Sequence, residues 1–183
     1  MSESTKSILD GVDSLINSHF FADEHSTKYS YKHKPSCNAL SASPPEAFDG
    51  TKLIAGIYKC IEKNLLRRPD RAPSPKNWKI RSETDTKNIQ PREDNKSAEV
   101  TLERAIAQRW PEKWTYQMPV ASGLFGEHSD KRRSIDLVYF GEHGSFDFVE
   151  LKVESNTPLY AAMEILGYGL VYLASRNDSV KNC

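Results

Sequence analysis

Apolar residues fall at helical spacing in four stretches of this 183-residue chain and at strand spacing in three. Ile8, Leu9, Val12, Leu15 and Ile16 form one stripe and predict a short amphipathic helix over Ile8–Phe21. Leu53, Ile54, Ile57, Tyr58, Ile61 and Leu65 predict a longer helix over Leu53–Leu66, ended by Arg67-Arg68-Pro69. Ser97–Trp110 reads as a third, with Ser97 as N-cap and Ala98, Leu102, Ala105 and Ile106 as its inward stripe. Pro158–Ala174 reads as a fourth, with proline in its first turn and with Gly167 and Gly169 permitting close packing on a sheet. Tyr116–Val120 is a short strand candidate, and Ser134–Phe140 and Ser145–Val153 carry the β-branched and aromatic residues of two longer strands. Residues 22–50, with Pro35, Pro44 and Pro45, and residues 82–97 read as polar connecting chain. No internal repeat is present. The order helix, three strands, helix predicts an α/β core over 97–183, its sheet covered by helices. A helical and loop-rich extension over 1–96 precedes it.

The last two strands flank a short turn, Glu142-His143-Gly144, in which Gly144 suits a left-handed position. Centring the hairpin on His143 places Asp136 directly opposite Glu150. Like charges facing each other destabilise a sheet, and a divalent cation is the economical compensation. Side chains alternate along a strand, so Glu150 and Lys152 share a face with Phe146 and Phe148. A carboxylate pair offers oxygen ligands suited to Mg²⁺ or Mn²⁺ rather than Zn²⁺, and an ammonium beside it can neutralise charge developing on a phosphorane. The chemistry these groups permit is phosphodiester hydrolysis.

Two helices add candidates. Glu99 falls nearer the sheet than Glu103 around the third helix and can reach a cation, whereas Glu103 reads as a solvated flank residue. Glu164 is the one charged residue in Thr157–Leu173, and so apolar a helix implies a partner for it, such as Lys152. The bland alternatives are an ionic network of Asp136 with the nearby arginines or Lys152, and a Glu164 on a narrow solvent-facing edge. His128 and His143 lie in loops, and no phosphate loop, dinucleotide fingerprint or nucleophile elbow occurs.

Composition narrows the class only a little. The 25 basic and 25 acidic residues cancel, so the overall charge does not point to nucleic acid. Lys131, Arg132 and Arg133, just before the Asp136 strand, can meet phosphates. A looser basic segment of Arg67, Arg68, Arg71, Lys76, Lys79 and Arg81 surrounds Trp78, an arrangement that can serve single strands. Three dispersed cysteines give neither a disulfide framework nor a zinc site. No long apolar run or signal-peptide pattern is seen, which makes a cytoplasmic, membrane-free protein the expectation.

Asp136, Glu150-Leu151-Lys152 and the flanking elements resemble the PD-(D/E)xK nuclease superfamily, over about residues 97–174. The resemblance implies a restriction-endonuclease-like core, with a mixed, mostly antiparallel sheet flanked by helices. It implies catalytic roles for Asp136, Glu150, Lys152, Glu99 and Glu164, with Asp136, Glu150 and Glu99 as metal ligands for Mg²⁺ or Mn²⁺. The implied activity is that of an endonuclease-like hydrolase acting on nucleic acid, DNA ahead of RNA. Two departures are visible. Ser134-Ile135 stands where a proline commonly precedes the aspartate, and only nine residues follow Ala174, leaving little room for the usual fourth strand. The second implies a truncated core, or a homodimer or protein partner completing the sheet edge. The rival readings are a catalytically inactive nuclease fold that binds nucleic acid or protein, and an assembly protein using its N-terminal helices.

Overall fold

The computed structural model describes residues 7–21, 29–78, 80–89, 97–126, 133–153 and 157–177. Within them the chain is mixed α/β: seven α-helices and one three-stranded antiparallel sheet. The helices are α1 (Val12–Phe20), α2 (Lys34–Ala42), α3 (Gly50–Leu66), α4 (Glu83–Lys87), α5 (Ala98–Arg109), α6 (Ser122–Phe125) and α7 (Pro158–Arg176). The strands are β1 (Trp114–Pro119), β2 (Ser134–Phe140) and β3 (Phe146–Val149), hydrogen-bonded in the order β1-β2-β3. Every described strand pair is antiparallel, so no parallel partner makes the sheet mixed. Among the described residues no helix is long and apolar enough to cross a membrane.

Local chemistry sets the helix starts. Asp49, Ser97 and Thr157 each accept a hydrogen bond from a backbone N–H in the first turn of α3, α5 and α7, as N-caps do. Pro158 sits where the helix needs no N–H donor. The polar stretch read as connecting chain holds α2, with Pro35 in its first turn. Its signal was hidden because α2 buries little more than Ser36 and Cys37. Ser82 likewise caps the short α4.

The sheet lies between two helical layers. α5, with α4 beside it, packs on β1 and β2, while α7 packs on β3. α3 covers α7, and α1 covers α3. Ile57, Ile61, Leu65, Val138, Val171 and Ala174 are fully buried in one continuous apolar cluster. Its burial drives assembly at about 25 cal/mol per Å² of apolar surface removed from water. Asn64 adds a buried tie, donating to the carbonyls of Ile8 (3.0 Å) and Asp10 (2.8 Å).

The glycines of α7 do not mark a close approach to the sheet. A Cβ at Gly167 would meet only Leu9, at an ordinary 3.8 Å, and one at Gly169 would meet open space. Gly123 on α6 is tight instead: its missing Cβ leaves room for the Trp78 indole. Trp78 packs against Phe148 and Tyr172 and donates through Nε1 to Ser175 Oγ at 2.8 Å. Its ring is thus part of the α6–α7 packing rather than a free platform for bases. Gly123→Ala is therefore expected to lower stability by about 1–3 kcal/mol through overpacking. Urea unfolding followed by tryptophan fluorescence would measure it, and an unchanged midpoint would show that the indole yields freely.

Candidate functional site

The hairpin pairs as its turn implies. Leu137 faces Val149 and Phe140 faces Phe146, and His143 and Gly144 both take left-handed backbone angles (φ 58° and 76°). Extending that register by one residue sets Asp136 opposite Glu150. Here the ladder stops. β3 ends at Val149, not Val153, because carboxylates take over the next backbone donors. Leu151 N donates to Asp136 Oδ2 at 2.8 Å, and Val153 N donates to Glu99 Oε1 at 2.9 Å. Alternation continues past the ladder: Val149 and Leu151 pack towards the apolar cluster of α5, while Lys152, paired with Glu150, meets α7.

Asp136 stands in a gap of the other ladder as well. β1 and β2 pair at Tyr116–Leu137 and Met118–Ile135, but Gln117 and Asp136 between them do not pair. Gln117, across from Asp136, has φ 50°, a left-handed conformation that costs energy for a residue with a Cβ. Its consequence is visible in the packing. Tyr116 and Leu137 belong to the α5-side cluster, whereas Met118 and Ile135 belong to the main core. The amide of Gln117 donates to both oxygens of Glu103 (3.0 and 2.9 Å) and accepts from Ser134 Oγ (3.0 Å).

Glu103 therefore corrects the sequence expectation. It is 1 % exposed, whereas Leu102, assigned to the inward stripe, is 44 % exposed. α5 turns a carboxylate to the sheet because Gln117 supplies a hydrogen-bond donor there. Its pKa is pushed up to about 7, by burial first and also by the Asp136 charge, against the lowering effect of the Gln117 hydrogen bonds.

On the α7 side, Lys152 bridges two carboxylates. Its Nζ lies 2.5 Å from Glu150 Oε1 and 2.8 Å from Glu164 Oε2. All three side chains are nearly closed to solvent, at 12 %, 6 % and 12 % exposed for Lys152, Glu150 and Glu164. The Tyr168 hydroxyl donates to Glu164 Oε1 at 3.3 Å, and Lys152 Nζ sits 5.0 Å from the centre of the Tyr160 ring. Burial alone would lower the lysine pKa, but the two carboxylates outweigh it and hold the ammonium above its ordinary range.

Three carboxylates, Asp136, Glu150 and Glu164, thus share one ammonium. Burial pushes Glu150 up to about 8, opposed by Lys152 and reinforced by Asp136. Burial also raises Asp136, opposed by the Leu151 N–H and the Lys152 charge and reinforced by Glu99 and Glu164. Glu150 Oε2 is buried without a hydrogen-bond partner, which is costly for a carboxylate. Among the described residues, no three His, Cys, Asp or Glu side chains form a ready cation cage. The donor set nonetheless fits Mg²⁺ or Mn²⁺: it is all oxygen, it has an orphaned buried oxygen, and Mg²⁺ is commonly held by one or two carboxylates with waters and substrate phosphates.

The structure brings together Asp136, Glu150, Lys152 and Glu164. It places Glu99 close enough for its charge to act on Asp136, with one oxygen engaged on Val153 N. Lys131 and Arg132, like Lys79 and His128, lie outside the described residues, and Arg133 is half-buried just before β2. Gln117, Tyr160 and Tyr168 were missed. The tyrosines had a signal, since both stand four residues from Glu164 on one helix; Gln117 had only its polarity within a strand.

The raised Glu103 pKa has a stability consequence. A carboxyl whose folded pKa lies above its unfolded value contributes stability that is present at low pH and lost as pH rises through the folded value. Glu103→Gln is expected to lessen the loss of stability between the ordinary value of 4.5 and about 7, by on the order of 3 kcal/mol. Denaturant titrations across that window would test it, and parallel curves for variant and parent would contradict it. Compared with known proteins, the chain matches no family model, no curated protein and no solved structure.

Proposed function

We propose that this chain hydrolyses phosphodiester bonds of nucleic acid with a divalent metal, through a restriction-endonuclease-like site. One observation carries the reading. Asp136 and Glu150 face each other where both ladders give way, with Lys152 fixed beside them and one Glu150 oxygen buried and unpartnered. A sheet organised only for stability gains nothing from that arrangement, because burying like charges opposes folding.

Asp136 and Glu150 are the residues that would hold Mg²⁺ or Mn²⁺. When bound, the ion supplies Lewis-acid polarisation of the phosphate and a more acidic water. The protein's own contribution centres on Lys152. Glu150 and Glu164 keep its ammonium charged and immobile, so it is pre-oriented to neutralise charge developing on phosphorus. Tyr168 orients Glu164. Glu99 and Asp136 anchor the Leu151–Val153 backbone that carries the lysine. DNA stands ahead of RNA on the strength of the resemblance.

A second reading has a specific observation behind it. Asp136 and Glu99 each use an oxygen to hold backbone, and no three-carboxylate cage is found among the described residues. A nuclease-like fold kept for binding nucleic acid or protein would look the same at those positions.

Cleavage of single- and double-stranded DNA and RNA with Mg²⁺ or Mn²⁺, beside an EDTA control, decides between them. The nuclease reading expects metal-dependent cutting that falls by ~10²-fold or more in Lys152→Ala and Glu150→Gln. A folded protein that neither cuts nor binds either ion by calorimetry would leave only the binding module.

A further inference from the structure

The catalytic candidates come from the last half of the chain, yet a second ammonium beside them comes from the first. Asp13 on α1 accepts the Tyr31 hydroxyl at 2.6 Å and the Lys32 ammonium at 2.6 Å. Held this way, Lys32 Nζ lies 5.6 Å from the ring centres of both Tyr31 and Tyr160. The two rings meet edge to face at 5.9 Å. Tyr160 is also the ring over which Lys152 sits, at 5.0 Å. The Arg133 charge acts on the same neighbourhood, at Asp13, Tyr160 and Tyr168. Two lysines from separated parts of the chain thus meet at one tyrosine, each paired with carboxylates, Lys32 with Asp13 and Lys152 with Glu150 and Glu164.

An exposed lysine–aspartate pair by itself contributes about 0–1 kcal/mol and gains nothing from converging on a second lysine. Asp13 takes one of the three N–H donors of the Lys32 ammonium, which leaves donors for a phosphate oxygen. Lys32 is suited to receive one. Its side chain is 29 % exposed, its ammonium lies over two tyrosine rings, and its charge is a point donor that suits phosphate. Lys32 and Lys152 share one ring, so phosphates of a single strand can reach both.

We propose that Lys32 binds a phosphate adjacent to the scissile one, so that the N-terminal part of the chain grips the substrate strand. Asp13 and Tyr160 hold the lysine in place. The proposal rests on the phosphodiesterase reading and names where its substrate lies.

The test compares the full-length protein with Lys32→Ala, Lys32→Arg and Asp13→Asn. Binding to a fluorescein-labelled DNA strand and duplex is read by anisotropy across a salt series, with Ca²⁺ in place of Mg²⁺. Lys32→Ala is expected to weaken binding about 3- to 10-fold and to reduce the salt slope by about one. Lys32→Arg restores the slope. Asp13→Asn is expected to weaken binding less than Lys32→Ala does, because it loosens the lysine's hold but keeps its charge. If Lys32→Ala binds as the parent does while the parent still cuts, the subsite is overturned and the nuclease reading stands. If Asp13→Asn weakens binding as much as Lys32→Ala with the same loss of Tm, Lys32 acts only through the fold and the subsite is again overturned. If the parent neither binds nor cuts DNA or RNA, the nuclease reading fails and the subsite fails with it.

Discussion

Two carboxylates face each other across a hairpin, and much of the local architecture answers the repulsion between Asp136 and Glu150. The β2–β3 ladder ends at the residue before them. Lys152 folds back along the chain to meet Glu150, and Glu164 meets Lys152 from α7. One ammonium among three carboxylates does not neutralise them. Burial is the first cause of the raised pKa values of Asp136 and Glu150, and the neighbouring carboxylates add to it. Burial amplifies each term, because charges interact more strongly away from water. A centre of this kind is poised to take up positive charge, whether as protons or as a cation.

The supporting structure is polar where a stability-driven core would be apolar. α5 presents Glu103 to the sheet and leaves Leu102 in solvent. Gln117 adopts a strained backbone to pair with it. Glu99 holds the Val153 amide. Each choice forgoes apolar burial, and the main core of α1, α3, α7 and the sheet offsets it with fully buried Ile57, Ile61, Leu65 and Val171. The division is physical: the α7–α3–α1 side supplies cohesion, and the α5 side supplies orientation.

The hairpin register and the facing of Asp136 and Glu150 were legible in the sequence, because a short turn with Gly144 leaves few alternatives. The amphipathic helices were legible too, through Leu53, Ile57, Ile61 and Leu65, and so was the Ser97 cap. Glu164 was legible as a lone charge in need of a partner. The α5 face was not. Periodicity weighs Ala98, Leu102 and Ala105 by hydrophobicity and has no means of knowing that Gln117 waits opposite Glu103. Lys32 was hidden for a related reason: its neighbours Asp13, Tyr31 and Tyr160 are far apart in the chain and meet only in the fold.

The left-handed peptide at Gln117 also bears on how the molecule comes together. It lets β1 place Tyr116 in one cluster and Met118 in the other, so a single short strand is keyed to both helical layers. The turn is sustained by Glu103, which arrives only when α5 docks. Strand pairing and helix docking are then one cooperative event rather than two. In hydrogen-exchange terms, β1, β2 and α5 should open as a single unit, with the candidate centre at its seam.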